Sequence, residues 1–266
     1  MLWSASAIKG YAIAASDGQL GTVSDFLFED TSWSIRWLVV DTGNWLSGRK
    51  VLLPPSALGH PNAAERVFSV ELAMQQVKDS PDIDTEQPVS RQIEAGIYDY
   101  YGWSPYWGMG LYMGGYGYAG SSMAASSYLD AMRHSEKTVD SSRDVGDDPP
   151  QDAGDPHLRS IDAVTGYHIH ASDGEIGHLR DMLLEVADWT VRFLVVDTKN
   201  WWAGQTVLVS PQSAQQINWH DRLINLDVDR QKVKDSPPYD ASMTVDGAHE
   251  ARFHDQNGDI LTTGQP

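Results

Sequence analysis

The chain has 266 residues, of which 41% are hydrophobic, enough for two small globular domains and a connecting segment. Its net charge of −18 excludes nucleic acid and anionic membrane surfaces as expected partners, because their phosphates would be repelled. With no cysteine, no apolar run of about 18 residues and no signal-peptide pattern, we expect a cytoplasmic protein without disulfides, thiolate chemistry or membrane insertion.

In chain order, short apolar stretches of the first third predict strands. The predicted elements are a strand at 11–13, a tight turn at 16–18, a long bent strand at 20–28, a central strand at 35–40, a turn at 41–48, a strand at 51–53, a strand at 66–70 and a short helix at 72–77. So many short strands leave no room for crossover helices, which favours a small antiparallel barrel.

The same pattern occurs twice along the chain at a constant spacing. The repeated segments are Gly10-Tyr11 and Gly166-Tyr167, Ser16-Asp17-Gly18 and Ser172-Asp173-Gly174, Val39-Val40-Asp41-Thr42 and Val195-Val196-Asp197-Thr198, and Val77-Lys78-Asp79-Ser80-Pro81 and Val233-Lys234-Asp235-Ser236-Pro237. The copies align from Ile8 to Pro81 without a gap, so we interpret them as an internal duplication. Residues shared by both copies should specify the fold, and residues unique to one copy are where function can have diverged.

The segment between the copies has a different composition. Residues 97–120 are rich in Gly, Tyr, Trp and Met, whereas residues 135–156 are acidic and typical of disorder. We therefore predict an all-β protein of two barrels, each with a short C-terminal helix. The domains are barrel 1 (1–90), an aromatic and then acidic linker (91–158), barrel 2 (159–240), and a C-terminal appendage and tail (241–266).

The repeated residues resemble the PRC-barrel domain family. The shared pattern is Gly-Tyr, Ser-Asp-Gly-x-x-Gly, a strand ending in Val-Val-Asp-Thr, Asn-Trp-x-x-Gly, and Val-Leu-x-x-Pro. That family includes the cytoplasmic domain of the H subunit of the photosynthetic reaction centre and the C-terminal domain of a ribosome-maturation factor. The resemblance implies a six-stranded barrel that docks other proteins and carries no catalytic residue.

A histidine cluster is unique to the second copy. His168, His170 and His178 replace Ala12, Ala14 and Thr22, and His168 and His170 share one face of a strand. Imidazole binds zinc, copper or nickel, so these are the candidate metal ligands. The alternative is that they are solvated histidines on a polar hairpin, and we expect no metal there.

Two charged positions occur in both copies, Asp25/Asp181 and Arg36/Arg192. They predict a cross-strand ion pair or hydrogen bonds that anchor a turn. By analogy with the reaction centre, the alternative is a proton-relay carboxylate with its partner.

Aromatic residues supply the candidate interaction sites. They are Trp45, Trp201 and Trp202 on loop tips, and Tyr100, Tyr101, Trp103, Tyr106 and Trp107 in the aromatic stretch. Each loop tryptophan either contacts a partner or folds back over the barrel. We expect residues 98–107 to dock on a barrel or at a subunit interface, because burial of large side chains offsets the ordering of a short segment.

The sequence contains no nucleophile motif, phosphate loop or metalloprotease helix, so we expect no catalytic residue, cofactor or small-molecule substrate. The predicted function is a bacterial, non-enzymatic docking module for protein partners, including a second copy of itself. An accessory of photosynthetic electron transfer is the alternative, and a ribosome-assembly factor is a weaker one because of the acidity.

Overall fold

A computed structural model describes residues 2–80, 91–103, 157–198, 205–236 and 238–240. The predictions for the remaining linker and for the C-terminal tail lie outside these ranges. Within them the chain is mostly β-structure, arranged as two sheets that carry the two copies of the repeat. None of the described helices is long and apolar enough to cross a bilayer.

The first sheet follows the predicted element order. The elements of the first half are β1 (Leu2–Ser4), α1 (Ala5–Ile8), β2 (Ala12–Ala15), β3 (Gly18–Glu29), β4 (Ile35–Asp41), β5 (Lys50–Leu53), β6 (Val67–Ser69), α2 (Met74–Lys78) and α3 (Arg91–Tyr101). All of these strands except β1 belong to the first sheet. The spatial order is β5-β4-β3-β2-β6. The meander β2 to β5 arises from the tight turns that the sequence predicts.

The second copy folds in the same way. Its elements are β7 (Leu158–Ser160), α4 (Ile161–Val164), β8 (His168–Ala171), β9 (Gly174–Glu185), β10 (Thr190–Asp197), β11 (Thr206–Val209), β12 (Ala214–Asn218), β13 (Leu223–Leu226) and α5 (Arg230–Asp235). The order β11-β10-β9-β8-β13 repeats that of the first sheet, and β12 adds one strand beside β13.

The long strands β3 and β9 bend at a glycine that neither copy can replace freely. A Cβ on Gly21 would lie 2.1 Å from the carbonyl oxygen of Asp41, and one on Gly177 would lie 2.0 Å from that of Asp197. Such distances are well inside van der Waals contact. The shared glycine therefore allows the neighbouring strand to approach, as its position in a predicted bent strand suggested.

The two copies exchange their first strands. β1 pairs with β9 of the second sheet, and β7 pairs with β3 of the first sheet. β2 covers only the first part of β3, so the rest of that long edge is open to the strand from the other half. The halves are thus joined by reciprocal strand exchange within one chain. The sequence alignment, which began at Ile8, did not include either exchanged strand.

Two features of the predicted barrels differ in the structure. The ladders β2–β6 and β8–β13 are parallel, whereas the sequence predicted antiparallel pairing throughout. No ladder in the described ranges closes either sheet into a barrel. The edge of β11 pairs with the segment that follows α5. Val207 forms a β-bridge with Pro238, and Tyr239 N donates a hydrogen bond to Thr206 O.

The two halves share one hydrophobic core. Its buried side chains come from both copies, including Ile13, Phe26 and Phe68 from the first and Ile169 from the second. The ring of Trp189, at the β9–β10 turn, lies 6.3 Å from that of Phe26 and 5.9 Å from that of Phe68. An aromatic side chain of the second half therefore completes the core of the first.

Candidate functional site

The junction between the halves follows an approximate two-fold axis. At its centre the backbone of Ser34 bridges that of Thr190, the residue at the equivalent position of the other copy. Ile35 N donates to Trp189 O at 2.7 Å, and Val191 N donates to Trp33 O at 2.8 Å. An interface in which equivalent residues contact one another is the isologous type found in symmetric dimers.

Asp25 and Asp181 anchor the exchanged segments. Asp25 accepts hydrogen bonds from Ser160 Oγ and from the backbone N–H of Asp162, at the start of α4. Asp181 accepts the equivalent bonds from Ser4 and Ser6, at the start of α1. Each carboxylate thus fixes the N-terminus of a helix that belongs to the other half. A carboxylate is suited to this role because it accepts several hydrogen bonds and favours the positive end of a helix.

The Asp25 carboxyl is partly buried, and this burial raises its pKa. The hydrogen bond from Ser160 acts in the opposite direction, while the Asp162 carboxylate raises the pKa further. Asp162 also forms an ion pair with Lys9, which comes from the first half. The first copy has Ser6 at the position equivalent to Asp162, so the charged neighbour is confined to one side of the axis.

The prediction of an Asp25–Arg36 ion pair is wrong. Arg36 pairs with Glu29 and bonds to Ser32, across the β3–β4 turn of its own sheet. Arg192 pairs with Asp188 in the equivalent turn. Each arginine therefore anchors a turn of its own sheet, which is the other arrangement that the sequence predicted. Each aspartate instead contacts the other half.

Two open grooves lie between the halves, one on each side of the approximate axis. The first groove is lined by Ser34, Arg36, Pro55, His60, Tyr98 and Trp189, and the second by Asp30, His157, Arg159, Gln212, Gln216 and Trp219. Each has a volume of about 850 Å³. Both mix aromatic and polar side chains, the composition that favours contact with another protein.

The second groove contains an arginine that contacts both an aromatic ring and a carboxylate. The Arg159 guanidinium lies 3.8 Å from the centre of the Trp219 ring and 3.3 Å from a carboxylate oxygen of Asp30. His157 Nδ1 lies 2.9 Å from the other oxygen of the same carboxylate. These contacts hold the arginine in place at the rim of the groove.

Helix α3 lies against the outer surface of the first sheet. Ile97 and Tyr98 are buried there in a cluster with Trp37, Val39, Leu52 and Leu158. The indole N–H of Trp37 donates to the buried carboxylate of Glu94. Burial, with the Glu94 charge nearby, raises the pKa of Tyr98 to about 12. The structure therefore places the first residues of the aromatic stretch on the first sheet.

The helix ends so that the next aromatic side chain turns back towards the sheet. Gly102 has a φ of +68°, which a residue without a Cβ adopts at little cost. Trp103 N then donates to Tyr98 O at 2.9 Å, and Gly102 N to Asp99 O at 3.2 Å. This Schellman ending stacks the rings of Tyr101 and Trp103 at 4.2 Å. Tyr100 remains exposed, and its hydroxyl donates to the Gln76 carbonyl.

Trp45 is part of the packing of the first sheet. It is half-buried against the core, and its indole N–H donates to the Leu20 carbonyl. Trp45 therefore folds back onto the first sheet, which is one of the two arrangements that the sequence allowed for it. Of the other aromatic candidates, Trp201, Trp202, Tyr106 and Trp107 lie outside the described residues.

Two of the three predicted histidines, His168 and His178, come together across the β8–β9 hairpin, and the third residue of the group is Glu175 in place of His170. His168 faces His178 in the strand register, and their ring centres are 4.4 Å apart. Glu175 lies 3.1 Å from His168 Nδ1, so the group of three possible ligands is His168, Glu175 and His178. The hydrogen bond with His168 lowers the pKa of the Glu175 carboxyl. His170 faces Glu175 in the register but is not one of the three.

Comparison with known proteins gives a family match for part of the chain. Residues 4–69 match the family model of the PRC-barrel domain. The matched residues lie in the first half of the chain. An uncharacterized protein of Deinococcus radiodurans is 31% identical over 83 residues, which covers 31% of this chain and 29% of that protein. The chain thus spans less than a third of that relative, whose printed description gives no activity.

Sequence reasoning did not find three features of the site: the exchanged strands, the role of Asp25 and Asp181, and the contribution of Trp189. A signal for the first was present, because Leu2 and Ser4 recur as Leu158 and Ser160. Trp33 and Trp189 are likewise shared by both copies. Their backbone lies in the left-handed region, with φ of 57° and 53°, which sequence patterns do not reveal for a bulky residue.

Proposed function

We propose that the protein is a non-enzymatic docking module in which two PRC-barrel-type halves form one rigid, two-fold unit. The observation that carries this proposal is the reciprocal strand exchange, which fixes the two halves relative to each other. A weakly joined pair would present two surfaces at variable distance. The exchanged pair presents two grooves at a fixed distance, and a partner that contacts both gains affinity through avidity.

The grooves are the proposed binding surfaces. They are open to solvent and lined by residues from both halves, so each one exists only while the halves are joined. Buried aromatic and arginine side chains provide most of the energy at protein interfaces, and Arg159 with Trp219 supplies both types in the second groove. The net charge of −18 favours a partner with a basic surface.

The experiment is site-specific photo-crosslinking of the full-length protein in its native host. A photoreactive amino acid replaces Ser56, an exposed residue that lines the first groove, or its equivalent Gln212 in the second. Matched controls carry it at Gln75 and Gln231, which are also exposed and equivalent to each other but lie on α2 and α5. We expect the two groove positions to crosslink the same protein partner.

An excess of unmodified protein should suppress the groove crosslinks, since it competes for the partner. Identical crosslinked products at the groove and control positions would refute docking through the grooves. So would crosslinks to small molecules or nucleic acid alone.

A further inference from the structure

The second half carries a group of potential metal ligands that the first half lacks. His168, Glu175 and His178 each offer one nitrogen or oxygen atom, and these atoms lie within 4.8 Å of one another. The equivalent residues of the first half are Ala12, Gln19 and Thr22, none of which is an imidazole or a carboxylate. The difference is therefore in side chains, on two backbones that pair alike.

The β8–β9 hairpin holds the two histidines next to each other. His168 and His178 are direct partners in the register, as Ala12 and Thr22 are in the first sheet. Directly opposed side chains in an antiparallel pair have Cβ atoms about 4.5–5.5 Å apart. Beneath them Ile169 and Ile176 are fully buried, so the hairpin is fixed to the core.

The distances are close to those of a coordinated ion. Ligand atoms about 2.0–2.2 Å from a tetrahedral zinc lie about 3.3–3.6 Å from one another. The His168 Nδ1 to Glu175 Oε1 distance is 3.1 Å, so this pair is already near that separation. The side chains of His168 and Glu175 are 49% and 42% exposed, which leaves them room to rotate by the small amount that the third ligand requires.

The charges of the site also suit a cation. Glu175 supplies one negative charge, and Asp197 lies beside His178 in the strand register of β10. The protein as a whole carries a net charge of −18, which attracts cations from solution. Two imidazoles and one carboxylate are a donor set used by zinc sites that keep a fourth position open.

We propose that His168, Glu175 and His178 bind a divalent transition-metal ion of the zinc type, with one coordination position open to solvent. The nitrogen ligands select zinc, copper or nickel over magnesium and calcium, which prefer oxygen ligands. The site goes beyond the proposed docking function and does not depend on it, because neither groove is lined by these three residues.

The test is isothermal titration calorimetry of the full chain, freed of metal with a chelator, against Zn²⁺ and against Mg²⁺. We expect one Zn²⁺ per chain and no heat with Mg²⁺. His168→Ala and His178→Ala should each weaken Zn²⁺ binding by at least about tenfold, since even loss of a residue that only supports a ligand costs that much. His170→Ala is the matched control on the same strand and should change the affinity by less than about twofold.

A transplant into the first half tests the same assignment by gain of function. The triple variant Ala12→His/Gln19→Glu/Thr22→His places the three ligands on the equivalent hairpin, and we expect it to bind two Zn²⁺ per chain. Circular dichroism should give the same spectrum for every variant, because the replaced side chains are exposed or half-buried.

Equal Zn²⁺ affinity in the wild type, His168→Ala and His178→Ala would overturn the proposal. It would also be overturned if His170→Ala lost binding as fully as they do. A transplanted triad that binds nothing while the native one binds would place an essential ligand outside the three residues, and would likewise refute the assignment.

Discussion

The strand exchange predicts that a mutation in one half loosens the other. Asp25 lies on β3, yet it holds Ser160 and the start of α4, which belong to the second copy. Replacing Asp25 with alanine removes the acceptor of these two hydrogen bonds and of a third from Phe26 N at 2.8 Å. Residues 158–164 should then detach from the first sheet more often than in the wild type.

The magnitude follows from the hydrogen bonds. A bond to a charged group contributes about 1.5–3 kcal/mol, so two such bonds across the junction would contribute about 3–6 kcal/mol. The raised pKa of Asp25 means that its partly buried charge costs part of this gain. We therefore expect Asp25→Ala to lower the free energy of unfolding by about 2–4 kcal/mol. Asp25→Asn should cost less, because its amide oxygen still accepts from backbone N–H groups.

Urea denaturation measures the global change, and hydrogen exchange followed by mass spectrometry locates it. In Asp25→Ala, the peptide covering 158–164 should exchange faster, while residues 2–8 should change little. Asp181→Ala is the matched control and should reverse the pattern, because Asp181 holds Ser4 and Ser6. Unchanged protection of 158–164 in Asp25→Ala, or the same pattern in both variants, would refute the exchange.

The remaining predictions concern the docked helix, a buried phenol and one glycine. Ile97→Ala removes a buried side chain that typically contributes about 2–5 kcal/mol, so residues 91–103 should undock and exchange rapidly; slow exchange there would contradict the docking. The pKa of Tyr98 is raised from 10.0 to about 12. The neutral phenol therefore contributes its full stabilisation below pH 10, and this contribution should be lost as the pH rises towards 12. Tyr98→Phe should reduce this dependence in thermal melts, and an unchanged profile would exclude Tyr98 as its source. Gly21→Ala should lower the free energy of unfolding, measured in urea, by at least about 1 kcal/mol. Gly96→Ala is the control and should not lower it, because a Cβ on Gly96 would meet no atom within 4 Å. Equal effects of the two substitutions would contradict the close approach of β4 to Gly21.

Local features were readable from the sequence because they depend on short stretches of chain. The turn at Ser16–Gly18, the bend at Gly21 and the strand boundaries all follow from residue types at neighbouring positions. The repeat was readable because both copies retain these residues. For the same reason His168 and His178 could be placed on one hairpin, and a candidate metal site could be located approximately.

The tertiary structure decided how the halves combine. Nothing in the local pattern of residues 2–4 specifies whether they pair with their own half or with the other, because both β3 and β9 offer the same open edge. In the structure β1 pairs with β9 of the other half, and β7 pairs with β3. The same pairing carries Asp25 away from Arg36 and inserts Trp189 beneath Phe26 and Phe68. Contacts between residues far apart in sequence thus determined the junction and the grooves, whereas the sequence alone determined the strands that meet there.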